Sequence, residues 1–190
     1  YEADRPELFF KAAGWRVRGP GEEIGIRADS DWDVPEPELA LVVTPGLEIA
    51  GYVIGNDVSS RRIEGDNPLY LPQAKVYDGS CALGPCIVPA GLVEPPFEIH
   101  LEVRRDGASV VAGDTSSSRL RRTPEELAAW LGRALTLPAG AILLTGTGIV
   151  PEGEFSLRAR DVVLVAIDGL GVLENRVALV GQRAATSSGG

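Results

Sequence analysis

The chain has 190 residues, 44% of them hydrophobic and 24% charged, which suits one globular domain with room for a sizeable core. Its formal net charge of −9, with no basic cluster to offset it, argues against a nucleic-acid partner. No apolar run approaches the roughly 18 residues of a membrane span and no secretory signal is visible, so no membrane partner and a cytoplasmic location are expected.

The chain opens at Tyr1 and contains no Met, so further N-terminal residues are expected in the full protein. Ile24 to Arg27 is predicted as a strand, as are Glu38 to Val43 and Ile49 to Ile54, with Thr44 to Glu48 as a hairpin connection between the last two. Gly65-Asp66-Asn67-Pro68 is loop chemistry. Cys86 to Val88 forms a short apolar strand. Phe97 to Arg105 alternates, with Ile99, Leu101 and Val103 on one face and Glu98, His100, Glu102 and Arg104 on the other, the pattern of a half-buried strand. A turn at Arg105-Asp106-Gly107 leads into Ser109 to Val111. Ser116 to Ser118 is expected as polar loop. The spacing then predicts one clear helix over Pro124 to Leu135, with Thr123 as N-cap, Pro124 in first position and Glu126 closing a capping box. Arg121 and Arg122 are expected to pair with Glu125 or Glu126. Strands follow at Ala141 to Thr145, Val162 to Ile167 and Val172 to Val180, and the small polar tail from Ala184 to Gly190 is expected to fray. Strand groups around a single helix do not fit a doubly wound parallel sheet.

Glu36 and Glu38 stand two residues apart at the mouth of the apolar run Leu39 to Val43. On a strand both carboxylates leave one face, roughly 6.5–7 Å apart at their bases. Pointed at water they form a harmless edge; pointed inward they need a cation or protons. Asp57 follows the strand after the hairpin and can join them at one end of the sheet. Three carboxylates without clustered His or Cys favour Mg2+, Mn2+ or Ca2+ over zinc. Lys75 beside such a site would stabilise an enolate, or move a proton if its pKa were depressed; otherwise it is a surface lysine. In Thr145-Gly146-Thr147-Gly148 the hydroxyls or amides would hold a carboxylate, or the glycines simply make a tight turn. The only histidine, His100, rules out a Ser-His-Asp triad and is read as structural. Cys81 and Cys86 are too few for a disulfide scaffold and are read as reduced thiols.

Taken together, Arg5 to Ala12, Glu36-Pro37-Glu38-Leu39-Ala40, Gly55-Asn56-Asp57-Val58-Ser59-Ser60-Arg61, Lys75, Leu83-Gly84-Pro85 and Leu144 to Gly148 resemble the C-terminal catalytic domain of the fumarylacetoacetate hydrolase superfamily. The resemblance runs from about Arg5 to about Val180. Arg27 to Trp32, Asn67 to Tyr77 and Thr145 to Pro151 look most like its 2-keto-3-deoxy-D-arabinonate dehydratase branch. The fold implied is α+β and mostly β, a mixed β-roll of packed sheets with few helices, and residues 1–190 form one catalytic domain. The resemblance implies metal ligands Glu36, Glu38 and Asp57, usually holding Mg2+, with Mn2+ or Ca2+ as alternatives. It implies Lys75 as the catalytic and substrate-binding lysine, Thr145 as a substrate contact, a small-molecule 2-oxo acid substrate, and a homodimer or homotetramer. The implied reaction is dehydration of 2-keto-3-deoxy-D-arabinonate to 2,5-dioxopentanoate through a metal-stabilised enolate. The alternatives are a hydrolase or decarboxylase of a β-dicarbonyl or acylpyruvate acid, and a non-catalytic metal-binding homologue. The family often takes its general acid or base from a segment N-terminal to the matching region, and neither Glu2 nor Glu7 is assigned that role. Two departures stand out: Ser60 where alanine is frequent, and Arg62 where an acidic residue is usual.

Overall fold

The computed structural model describes residues 3–151, 153 and 155–181. Glu2 and the tail from Ala184 to Gly190 lie outside the described residues. In chain order the strands are β1 (Glu23–Arg27), β2 (Asp33–Val34), β3 (Pro37–Val43), β4 (Ile49–Asp57), β5 (Ser59–Ser60), β6 (Cys81–Pro89), β7 (Glu98–Arg105), β8 (Ala108–Ser116), β9 (Ala141–Leu144), β10 (Val162–Ile167) and β11 (Gly171–Val180). Three short helices intervene: α1 (Arg61–Asp66), α2 (Leu71–Lys75) and α3 (Pro124–Leu131). Among the described residues no helix is long and apolar enough to cross a membrane.

Two sheets carry the fold. One has the order β1-β11-β10-β7-β8 and the other β6-β4-β3-β9, while β2 and β5 form a small separate pair. The pairings are antiparallel except that of β1 with β11. The alternation expected along β7 is present: Ile99, Leu101 and Val103 are buried, while Glu98, His100 and Arg104 are exposed. These side chains join Val163, Val165 and Ile167 of β10 and Leu39, Leu41 and Ile54 of β3 and β4 in one apolar core between the sheets. Leu39, Leu41 and Ile54 are at most 1% exposed, and each contributes about 1.5–3 kcal/mol through removal from water. The fold is therefore the mostly-β, few-helix arrangement expected.

Local chemistry explains the connections. Asp106 and Gly107 both have positive φ, at 51° and 83°, as a tight two-residue hairpin turn requires. Thr123 Oγ1 accepts the Glu126 N–H and Glu126 accepts the Thr123 N–H, so the capping box is real. The helix behind it is shorter than predicted. It ends at Leu131 rather than Leu135, with Gly132 as its C-cap, the N–H still on Ala128 O and the bare Cα packed against Leu47, whose side chain would lie 2.2 Å from a Cβ there. Ser116 ends β8 and Ser117 to Arg119 form a 3-10 turn, so the predicted loop is ordered; Ser117 Oγ accepts the Phe97 N–H at 2.8 Å. Helices α1 and α2 were not predicted. Ser60 Oγ caps α1 by accepting the Ile63 N–H, and Asn67 Oδ1 accepts the Leu69 N–H to cap the 3-10 turn Pro68–Tyr70, which runs directly into α2.

Candidate metal centre and active site

Strand register builds the acid cluster. Glu38 faces Gly55 across the β3–β4 ladder, and the Asp57 N–H donates to Glu36 O at 2.9 Å. Residues 36, 38 and 57 therefore share one face. The short β2–β5 pair, Asp33 with Ser60 and Val34 with Ser59, pins the chain just before Glu36 and just after Asp57. Glu36, Glu38 and Asp57 are 6%, 3% and 5% exposed, and one carboxylate oxygen from each lies within 4.8 Å of the others. The inward alternative is the one realised.

Lys75 reaches this cluster from the last residue of α2. Its ammonium donates to Glu36 Oε2 at 2.7 Å and to Asp57 Oδ2 at 3.3 Å. Burial works against its charge, but Asp57 and Glu36 outweigh that, and its pKa is raised. Beside these two carboxylates Lys75 is held as an ammonium that donates to both. Glu36 is pushed up by burial, partly offset by Lys75 and reinforced by Asp57. Burial, with Asp57 and Glu36 adding repulsion, pushes Glu38 up to about 8 against the pull of the Gly146 N–H. That N–H donates to Glu38 Oε2 at 2.6 Å.

Thr145 stands beside β3 but faces inward along the backbone: its hydroxyl donates to Leu39 O at 2.9 Å. The Thr-Gly-Thr-Gly turn is pinned by Thr147, whose hydroxyl bridges the Ile149 N–H and C=O. Gly148 packs against Thr115 of β8, where a Cβ would lie 2.5 Å from Thr115 Oγ1. His100 lies on the polar face of β7 and pairs across the ladder with Asp114 through Nδ1 at 2.5 Å, a structural contact as expected. Cys81 is buried and Cys86 exposed, both as free thiols. The pairing expected for Arg121 and Arg122 is not found among the described residues. Arg122 donates to Ala3 O, and Glu126 is committed to the cap of α3.

Lys11 is the site residue that spacing did not single out. It lies in an N-terminal segment without regular secondary structure and is 9% exposed. Its ammonium touches Asp57 Oδ1 and donates to Val58 O at 3.1 Å and to Lys75 O. Burial lowers its pKa, and Asp57 pulls it back. The only sequence signal is its place in the Arg5 to Ala12 stretch that resembles the family, since an isolated lysine in an extended segment carries no period.

Two open clefts, of about 320 and 580 Å³, lie beside Asp33 and beside Tyr77, and neither is lined by the three acids. The cluster is marked by its chemistry rather than by its size. Its donors are all carboxylate oxygens, and Asp57 Oδ1, though in contact with Lys11, has no well-formed hydrogen bond. Such a buried, under-compensated, all-oxygen set fits a hard divalent cation of the Mg2+ kind.

Residues 2–178 match the family model described as fumarylacetoacetate (FAA) hydrolase C-terminal. A probable 2-keto-3-deoxyxylonate dehydratase of Haloferax volcanii is 51% identical over 95% of the chain and 63% of its own length. A 2-dehydro-3-deoxy-D-arabinonate dehydratase of Saccharolobus solfataricus is 45% identical over 91% of the chain and 59% of its own length. A solved 2-keto-3-deoxy-D-arabinonate dehydratase complexed with magnesium and 2,5-dioxopentanoate superposes with a TM-score of 0.93 at 42% identity, over 96% of this chain and 66% of that one. The chain thus spans about three-fifths of the length of the two curated relatives.

Proposed function

The chain belongs to the fumarylacetoacetate hydrolase C-terminal family, and from that premise we propose that it is the catalytic part of a Mg2+-dependent dehydratase. The substrate class is a 2-keto-3-deoxy sugar acid. The single observation that carries this reading is the convergence of three buried carboxylates with the Lys75 ammonium. The likeness to dehydratases, one of them complexed with magnesium and 2,5-dioxopentanoate, supports the choice of reaction.

Glu36, Glu38 and Asp57 would hold the cation. Bound there, a divalent ion supplies Lewis acidity to the 2-oxo group of the substrate. Lys75 presents a permanent positive charge at the same acids. It stabilises the negative charge that builds on the substrate's 2-oxo oxygen as C3 loses a proton. The C4 hydroxyl leaves as water, a proton shift from C5 to C3 gives the C4=C5 enol, and transfer of that enol's O–H proton to C4 completes the conversion of a 2-keto-3-deoxy pentonate to 2,5-dioxopentanoate. Thr145, with its proton directed to Leu39 O, retains lone pairs to accept from a substrate hydroxyl. The homodimer or homotetramer and the cytoplasmic location belong to the same proposal; strongly exposed Phe10, Trp15 and Leu69, at 72%, 76% and 82%, are suited to burial between copies.

The test is turnover by the full-length protein of 2-keto-3-deoxy-D-arabinonate with Mg2+, followed by mass detection of 2,5-dioxopentanoate. The expected result is loss of one water with the carbon skeleton intact, and a fall of about 10²-fold or more in kcat/KM for Glu38→Gln. Cleavage of an acylpyruvate into pyruvate and a second acid, without turnover of the deoxy sugar acid, would overturn it in favour of a hydrolase.

A further inference from the structure

Lys11 has no task in the reaction as described, yet its amine is buried among three acceptors: the Asp57 carboxylate, Val58 O and Lys75 O. Its nitrogen spends two N–H groups on the two carbonyls, and a neutral amine would then turn its lone pair on the Asp57 carboxylate, so the geometry calls for the ammonium. An apolar residue would fill such a position without the desolvation cost of a charge. The segment that delivers Lys11 is also fastened at its far end. Arg122 donates to Ala3 O at 2.7 Å, and Arg5 lies over the Trp130 ring at 5.0 Å.

The charge balance of the site gives the lysine a purpose. Ligating carboxylates are ionised. With the cation in place, three ionised carboxylates, the ammoniums of Lys11 and Lys75 and the divalent ion sum to one positive charge, and a single carboxylate then restores neutrality. Without Lys11 the site holding its cation would already be neutral, and an arriving carboxylate would be a buried charge without compensation.

We propose that Lys11 is a fixed countercharge which makes the cation-loaded site accept one carboxylate, and so selects a monoanion within the substrate class proposed above. Lys11 acts through Asp57 and the backbone of Lys75, not on the substrate. The inference rests on the divalent-cation reading above, and its test separates the two.

The full-length protein, Lys11→Met, Lys11→Gln and Lys11→Arg are titrated calorimetrically with Mn2+ alone, and then with pyruvate in saturating Mg2+. Lys11→Met is expected to bind Mn2+ at least as tightly as the wild type, because the acid cluster is more negative, while pyruvate affinity falls by about tenfold or more. Lys11→Arg restores most of the pyruvate affinity. Lys11→Gln keeps N–H donors for the two carbonyls without the charge and carries the test if the Met variant does not fold. In the wild type itself, methyl pyruvate should bind about tenfold or more weakly than pyruvate. Parallel loss of Mn2+ and pyruvate binding, undiminished pyruvate binding in the uncharged variants, or equal affinity for the ester would each overturn the proposal. A wild type that binds neither Mn2+ nor pyruvate overturns the cation site itself.

Discussion

Glu38 differs from its neighbours in how its charge is met. Lys75 bonds Glu36 and Asp57, whereas the Glu38 carboxylate takes its hydrogen bond from the Gly146 N–H. Pushed up to about 8, this carboxyl is protonated near neutral pH until a cation arrives. Binding of Mg2+ at about pH 7 should therefore release about one proton, measurable by calorimetry in buffers of different ionisation enthalpy. The same shift has a stability consequence. The folded state keeps a proton that the unfolded chain loses above the ordinary value of 4.5. Its contribution is complete below that pH and is lost as pH rises through about 8. In chelator, Tm should fall from about pH 5 to about pH 8, and saturating Mg2+ should remove the fall; a Tm rising across that window in chelator would contradict the assignment. Lys75→Met should lower kcat by about 10²-fold or more while leaving Mn2+ affinity undiminished, since the ammonium shares its two carboxylates with any cation held there. The acids were legible because two glutamates at strand spacing beside an apolar run need an explanation. The choice between their two orientations was not, because only the pairing of β3 with β4 buries them.

At the scale of elements, what a side chain announces locally was readable. The cap of α3 follows from Thr123 and Glu126, and the β7–β8 hairpin from Asp106-Gly107. The C-terminal end of α3 was not readable, because its cap Gly132 packs on Leu47, a residue far away in the sequence. Helices α1 and α2 are too short to show a period, yet α2 is what delivers Lys75. The turn after β9 gives a sharp test of packing. A methyl group at Gly148 would press on Thr115 Oγ1 at 2.5 Å and Thr115 Cβ at 3.2 Å. Gly148→Ala should cost about 1–3 kcal/mol in denaturant unfolding. Thr115→Ala removes the obstructing hydroxyl, so the double variant should be more stable than the two single losses summed; strict additivity would show that the contact does not constrain the turn.

For the whole molecule, the mostly-β class was legible in the alternation of β7 and the absence of a strand–helix rhythm. The sheet order was not, because β1 pairs with β11 and β3 with β9 across most of the chain. Those distant pairings hold the 36–38 segment, Asp57 and the 145–148 turn in one place, and the N-terminal segment adds Lys11 from outside both sheets. The molecule as a whole thus gathers three buried carboxylates at one end of the β3–β4 pair, where the proposed cation would sit. Its most direct test is an anomalous difference map from crystals of the full-length protein soaked in Mn2+. The account predicts one strong peak bonded to carboxylate oxygens of Glu36, Glu38 and Asp57, and a peak elsewhere with the three acids left unligated would contradict it.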